Sequence, residues 1–327
     1  MNDPLATASE STTTAAAPPA ASRCGNCDTV LLGPYCYRCG QPKKGWIRKI
    51  SGIFADFLDT VFDLDSRLAR TLGPLYFKPG LLSSEYFAGR RVRYVTPLRL
   101  YFFLSVVAFF ALGVLTPIAS ETDGKGIQIE LGEDPNGPNP NNLTFFNSRP
   151  WHPETNPLRV DWLGAGGNRW LNTQVGVIAT NLQTARKHPD RLVNQMLAKA
   201  PQVLFVLLPV FALLLKLMFL FKRRLYMEHM IVALHSHSFL SLSILLIAAL
   251  SALAAVLPEG GFGARLIGLA EGLAWAWIPL NLLIAHKRIY RQGWFFTLLK
   301  FSAIGLCYTV LLSLGMVLNV VLSLATL

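Results

Sequence analysis

The sequence is poor in charged residues and in cysteine, and each shortage excludes a class of protein. Charged residues make up 15% of the 327 residues and hydrophobic residues 52%. An ordinary soluble domain carries about 25% charged residues, so this composition excludes one. Five cysteines over this length exclude a disulfide-rich mini-protein, and the apolar content excludes disorder throughout. The composition predicts an integral membrane protein.

Long hydrophobic runs predict five membrane-spanning helices. A helix needs about 20 mainly apolar residues to cross about 30 Å of hydrocarbon. These apolar residues surround the helix axis without the alternation of a barrel strand. We therefore expect an all-α integral membrane protein. The five predicted spans cover residues 97–119, 201–221, 234–257, 266–285 and 301–324.

Basic residues in the short connections predict the orientation, because cytoplasmic loops retain Lys and Arg. Lys222, Arg223 and Arg224 follow the second span, and cations also follow the fourth, whereas residues 258–263 contain none. The amino terminus is therefore expected in the cytoplasm and the carboxyl terminus outside. Residues 120–200 then form an extracytoplasmic segment. These features predict a multi-pass protein of the cell inner membrane.

Acidic residues are fewer than basic ones, 19 against 30, which gives a formal net charge of +11. A basic protein invites a nucleic-acid hypothesis. Membrane topology and attraction to anionic lipid headgroups account for the excess here. We therefore expect a bilayer with anionic headgroups as a partner, and no nucleic acid.

Two cysteine pairs near the amino terminus carry the strongest chemical signal. Cys24 and Cys27, then Cys36 and Cys39, form C-x-x-C pairs separated by eight residues. This spacing can supply four thiolates to one tetrahedral zinc ion, so residues 23–42 are predicted to form a zinc ribbon. The alternative is two disulfides or a redox motif, but the predicted compartment is reducing. Four cysteine ligands leave no open position for catalysis, which favours a structural zinc and a role in binding a protein partner.

The segment before the ribbon is expected to be disordered, and the segment after it is expected to be helical. Residues 1–22 lack the apolar core of a secretory signal peptide and are predicted to be a disordered tail. Residues 43–96 are predicted to contain cytoplasmic amphipathic and juxtamembrane helices. Over residues 45–72, apolar positions recur at intervals of three and four. That helix would lie either along the inner leaflet or against the protein itself.

An arginine collar precedes the first span. Its members lie between the juxtamembrane helices and the first span. Cations at this position set the topology and anchor the protein to lipid headgroups. The alternative is a binding site for a phosphate or an anionic headgroup, which Arg forks recognise. The collar residues are Arg90, Arg91, Arg93 and Arg99.

Ionisable residues inside predicted spans form a candidate intramembrane polar site, because they cost several kcal/mol in hydrocarbon unless they are paired. Glu271 lies deepest, and Glu228 falls on the same helix face as His235. Such groups could carry protons, hold a metal ion or form structural hydrogen bonds between helices. The candidate residues are Glu228, His229, His235, His237, Glu271 and His286.

Four groups of motifs resemble an uncharacterised family of bacterial membrane proteins, domain-of-unknown-function family 3667. They are Cys24-x-x-Cys27 with Tyr35-Cys36-x-x-Cys39-Gly40-Gln41, Pro79-Gly80 with Tyr86, Arg90-Arg91, Tyr94 and Pro97, Leu208-Pro209-x-Phe211-Ala212-Leu213, and Tyr226-x-Glu228-His229 with Ala233-Leu234-His235-x-His237-Ser238-Phe239. The resemblance covers most of residues 23–325 except the outer segment. It implies a ribbon joined to membrane helices and no known activity.

Three functions are consistent with these residues. The first is a non-catalytic scaffold or accessory factor, favoured by the closed metal site and by the absence of a phosphate-binding glycine loop or a nucleophile motif. The second is a small ion, metal or proton transporter that uses Glu271 and the Glu228/His235 pair, completed in a homo-oligomer. The third is an enzyme acting on a lipid headgroup. We expect the first, and therefore not an enzyme.

Overall fold

The computed structural model describes residues 22–43, 66–123, 151–258 and 260–327. Eight α-helices form this described part: α1 (Ser66–Phe77), α2 (Leu81–Phe87), α3 (Pro97–Asp123), α4 (Gly164–Lys187), α5 (Pro189–Met218), α6 (Tyr226–Ala255), α7 (Phe262–Tyr290) and α8 (Trp294–Leu324). Five of them, α3 and α5 to α8, are long and apolar enough to cross a membrane. The all-α membrane fold predicted from the sequence is thereby confirmed.

The spanning helices are longer than the apolar runs from which they were predicted. Helix α5 begins at Pro189, twelve residues before the predicted span, and runs unbroken through Pro201. Pro189 suits the first turn, where its missing N–H would have no intrahelical partner. Helix α6 begins at Tyr226, eight residues before the predicted span. Hydropathy detects only the hydrocarbon-facing part of such helices, because their polar ends lie beyond it.

Helix α6 lies at the centre of the bundle. It packs against α1, α2, α3, α5 and α7, which explains why its sequence is apolar on all sides. Its buried face also carries polar side chains, among them His229, His235 and His237. Each of these needs a hydrogen-bond partner, since an unpaired buried polar group is costly.

The two ends of the bundle are organised differently. We call the ribbon end the one at which α3 begins and α5 ends. At the opposite end, α4 packs against α5 and α8, and the Asn181 amide donates to the Leu324 carbonyl at 2.7 Å. The Asn319 amide likewise donates to the Met196 carbonyl at 3.1 Å. Side chains therefore tie this end together by capping backbone carbonyls.

The amphipathic helix predicted over residues 45–72 falls mostly outside the described residues. Its last part, from Ser66, belongs to α1. Helix α1 and the short helix α2 pack on α6 at the ribbon end, and Leu75, Leu82 and Phe239 share one buried cluster. This part of the segment is therefore docked on the protein itself.

Candidate functional site

The four cysteines of the ribbon converge on one point. Their Sγ atoms all lie within 4.8 Å of one another, and Cys27 Sγ lies 3.6 Å from Cys36 Sγ and 3.5 Å from Cys39 Sγ. A tetrahedral metal with sulfur ligands at about 2.3 Å requires edges of about 3.8 Å, so these spacings fit a metal ion. The donor set suits a closed, four-thiolate site.

Local backbone geometry explains this convergence. The Asp28 N–H donates to the Cys24 carbonyl at 2.9 Å, and the Gly40 N–H donates to the Cys36 carbonyl at 2.8 Å, so both C-x-x-C pairs form the same turn. Two isolated β-bridges, Arg23 with Val30 and Tyr35 with Pro42, close the two turns. The two halves of the ribbon thus present their thiols in the same way.

Hydrogen bonding and burial act in opposite directions on two of the thiols. The Thr29 hydroxyl, 3.3 Å from Cys27 Sγ, is the main cause that lowers the pKa of Cys27 to about 6. Burial raises the pKa of Cys39 to about 11. The Cys27 thiolate is therefore available to a metal near neutral pH, whereas Cys39 must lose its proton as the metal binds.

The ribbon is attached to the segment between α2 and α3. The Gln41 side-chain amide donates to the Gly89 carbonyl at 2.9 Å, and the Arg91 N–H donates to the same amide's oxygen at 3.5 Å. Sequence reasoning assigned no role to Gln41, although it directly follows the Cys39-Gly40 turn. These two bonds fix the ribbon beside the arginine collar.

The collar arginines bind groups of the protein itself. Arg90 donates two bonds to the Glu85 carboxylate, at 2.5 and 2.6 Å. The Arg91 guanidinium lies 4.8 Å from the centre of the Tyr86 ring, and Arg93 lies 5.6 Å from that of Tyr94. Arg99 belongs to the first turn of α3. The collar is therefore engaged by Glu85 and by aromatic rings, which favours anchoring over an open phosphate site.

The Glu85–Arg90 pair predicts a pH-dependent contribution to stability. The hydrogen bond from Arg90 holds the pKa of Glu85 below its usual value. A carboxylate with a lowered pKa in the folded protein stabilises the fold above its unfolded pKa, and this contribution disappears as pH falls through the folded pKa. We expect wild type to exceed Glu85→Gln in thermal stability at pH 7 and to lose this advantage below about pH 4. Thermal unfolding in detergent measures this difference. If wild type kept the same advantage over Glu85→Gln at pH 3, the Glu85–Arg90 pair would not be its cause.

The three histidines of α6 have different partners. His235 Nδ1 lies 2.9 Å from the Ser83 hydroxyl of α2, and His229 Nδ1 lies 2.9 Å from the Tyr290 hydroxyl of α7. His237 bonds through Nε2 to the Tyr308 hydroxyl of α8 at 2.7 Å. The imidazoles therefore point to three different helices, and each joins α6 to a neighbour.

His286 belongs to a stack of rings at the ribbon end. The Phe219 and Tyr290 rings are stacked with centres 3.5 Å apart, and the centres of His229 and His286 lie 5.7 and 5.9 Å from that of Tyr290. Both imidazoles are buried, and their Nε2 atoms have no hydrogen-bond partner among the described residues. His286 thus shares a ring stack with His229 around Tyr290.

The two carboxylates of the candidate polar site are far apart. Glu228 accepts the Leu225 N–H at 2.9 Å, which caps α6, and lies 3.4 Å from the Arg224 guanidinium. Glu271 accepts a hydrogen bond from the Ser251 hydroxyl at 2.7 Å. Glu228 and Ser251 are 23 positions apart on α6, about 34 Å along its axis. The structure therefore does not bring Glu271 together with Glu228 and His235.

Polar side chains of α7 hold the end of α1. The Tyr76 carbonyl accepts hydrogen bonds from the Asn281 amide at 2.8 Å and from the Trp277 indole at 3.0 Å. Tyr76 ends a helix, so its carbonyl has no intrahelical partner. Together with the Ser83–His235 bond, these contacts attach the α1–α2 segment to two spanning helices.

These features define an all-α protein with five candidate membrane spans and a cluster of four cysteines that could bind a metal ion. Residues 65–109 match the family model described as protein of unknown function (DUF3667). The match covers α1, α2, the collar and the first half of α3. Searches of curated proteins and of solved structures gave no match.

Proposed function

We propose that this protein is a scaffold or accessory factor of the cell inner membrane, whose cytoplasmic ribbon holds a structural zinc ion and binds a soluble protein. The observation that carries this proposal is the closed cluster of four thiols, all within 4.8 Å of one another. With four protein ligands, a bound zinc ion has no position left for a substrate. Its role is then to fold the ribbon.

The outer surface of the ribbon supports a protein partner. Leu32, Tyr35 and Tyr37 are exposed, and Leu32 and Tyr37 expose 84% and 70% of their surface. Aromatic side chains are enriched where proteins bind one another, since they bury a large apolar area at low entropic cost. The contacts of Gln41 with Gly89 and Arg91 hold the ribbon at the collar, so a bound partner would be fixed beside the bundle.

The polar residues of the spans support a structural role over transport. His235 and His237 bond to hydroxyls of α2 and α8, and Glu271 is paired with Ser251, far from Glu228. An ion pathway requires groups that follow one another across the membrane. Hydrogen bonds between helices instead hold a bundle together.

The partner surface can be tested by replacing Leu32 and Tyr37 with serine in the tagged full-length protein. We expect proteins crosslinked to wild type in cells to be lost from this variant and from Cys24→Ser/Cys27→Ser. The Leu32→Ser/Tyr37→Ser variant should keep its metal. Trp162→Ser is the matched control, since Trp162 is 85% exposed outside the ribbon, and it should retain every partner. Quantitative mass spectrometry of the crosslinked fractions measures the result.

Two results would contradict the proposal. One is a set of partners that is the same in wild type and in the Leu32→Ser/Tyr37→Ser variant. The other is a reporter fused near residue 20 that reacts from outside the cell, because the ribbon would then lie on the wrong side of the membrane for a cytoplasmic partner.

A further inference from the structure

A basic cleft opens at the ribbon end, between the α5–α6 connection and the end of α7. Its volume is about 390 Å³. Glu228 is the one carboxylate among its lining residues. Four cationic side chains also line it: Lys222, Arg223, Arg224 and Arg291. None of its lining residues belongs to the ribbon or to the arginine collar. Sequence reasoning used these cations only to orient the spans.

One of the four cations is committed to the fold. Arg224 lies 3.4 Å from the Glu228 carboxylate and donates to the Ile289 carbonyl at 2.9 Å. Its guanidinium also lies 4.9 Å from the centre of the Phe87 ring. Arg224 therefore neutralises Glu228 and joins the α5–α6 connection to α7. The charge of the other three cations remains uncompensated within the cleft.

The side chains of those three cations, Lys222, Arg223 and Arg291, form no ion pair or hydrogen bond with the described residues. Arg291 also has a left-handed backbone, with φ 48° and ψ 58°, at the end of α7. This conformation is disfavoured for a residue with a Cβ, and glycine is the usual residue there. This backbone conformation does not favour arginine. The presence of arginine here therefore indicates a role for its side chain.

Exposed apolar side chains lie close to these cations in the chain. Phe221 is 96% exposed, and Leu225 and Trp294, which flank the cationic residues in the chain, are also largely exposed. Both connections lie at the ends of candidate spans. Aromatic and apolar residues beside cations are typical of the level at which headgroups meet acyl chains.

We propose that this cleft binds the phosphate group of an anionic phospholipid, with Lys222, Arg223 and Arg291 contacting the phosphate oxygens. Guanidinium and ammonium groups form charge-assisted hydrogen bonds with phosphate. Phe221, Leu225 and Trp294 contact the adjoining acyl chains. A free phosphate would satisfy the cations but would leave these three apolar side chains without a ligand.

Binding can be measured by native mass spectrometry on the full-length protein in nonionic detergent, titrated with short-chain phosphatidylglycerol. Each basic residue near an anionic surface contributes about fivefold, so Arg223→Gln/Arg291→Gln, which removes two, is expected to bind about 25-fold more weakly. Zwitterionic phosphatidylcholine should bind wild type and variant equally. The charge-matched control is Lys43→Gln/Arg70→Gln, both exposed outside the cleft, which should change the affinity less than twofold.

Arg291→Gly separates binding from folding. Glycine suits the left-handed backbone, so the thermal midpoint should stay the same or rise while lipid affinity falls. Equal losses of affinity in the cleft variant and the control pair would overturn the site, as would unchanged affinity in Arg291→Gly. A third outcome is that millimolar inorganic phosphate displaces the lipid and that the cleft variant no longer binds phosphate. This outcome would show that the cleft binds free phosphate and would overturn the proposal that its ligand is a lipid.

Discussion

Replacing Cys36 with serine is expected to abolish metal binding and to unfold the ribbon. Wild-type protein should contain one zinc ion per chain by elemental analysis, and Cys36→Ser should contain none. Cys36 is buried, and it lies 3.6 Å from Cys27 Sγ. A ribbon of about 20 residues has little apolar core, so the metal supplies about 10 kcal/mol of its folding free energy. Proteolysis should then cut Cys36→Ser within the ribbon and leave the bundle intact.

The chain offers a matched control for this experiment. Cys307 lies exposed on α8, away from the ribbon, so Cys307→Ser should keep the full metal content. His235→Ala should also keep one metal, because His235 bonds to Ser83. Metal retained by Cys36→Ser would contradict a four-thiolate site. Two metals in wild type, falling to one in His235→Ala, would indicate metal chemistry in the spans.

Replacing Gly80 with alanine is expected to destabilise the attachment of the α1–α2 segment to α7. Gly80 has a left-handed backbone with φ 70°, and a Cβ there would lie 3.1 Å from the Ala285 carbonyl oxygen and 3.2 Å from the Ala285 Cα. The backbone of α7 cannot move aside as a flexible side chain could. Backbone strain and overpacking together should cost about 2–4 kcal/mol. Thermal unfolding in detergent should show a lower midpoint.

Gly268→Ala is the control for Gly80→Ala. Gly268 lies inside α7, and a Cβ there would meet no atom within 4 Å. Alanine is a better helix former than glycine, by about 1 kcal/mol, so this change should leave the midpoint unchanged or raise it. A fall of the same size in both variants would show that the close approach of Gly80 to α7 is not what destabilises the protein.

The number of spanning helices could be predicted from the sequence, but their ends could not. Hydropathy identifies the residues that face hydrocarbon, and five such runs correspond to five candidate spans. It does not detect the polar turns that continue a helix into the headgroup region. Helix α6 therefore begins at Tyr226, and α5 runs unbroken through Pro201. The first turn of α6 depends on the Glu228 cap, which the window average hides.

The candidate metal ligands could be predicted because they are local. Two C-x-x-C pairs specify two turns, and a short linker brings these turns together. The partners of the buried histidines could not be predicted in this way. Ser83 precedes His235 by 152 positions, and Tyr308 follows His237 by 71. Hydrogen bonds between distant helices depend on which helices become neighbours, and no local pattern encodes that.

The sequence alone therefore determined the membrane class, the five spans and the four clustered thiols, because each depends on residues close together in the chain. The tertiary structure decided which polar groups meet. It paired Arg90 with Glu85, attached Gln41 to Gly89, and left Lys222, Arg223 and Arg291 around one cleft. The physical reason is that an unpaired buried polar group is costly, and packing decides which partner is within its reach.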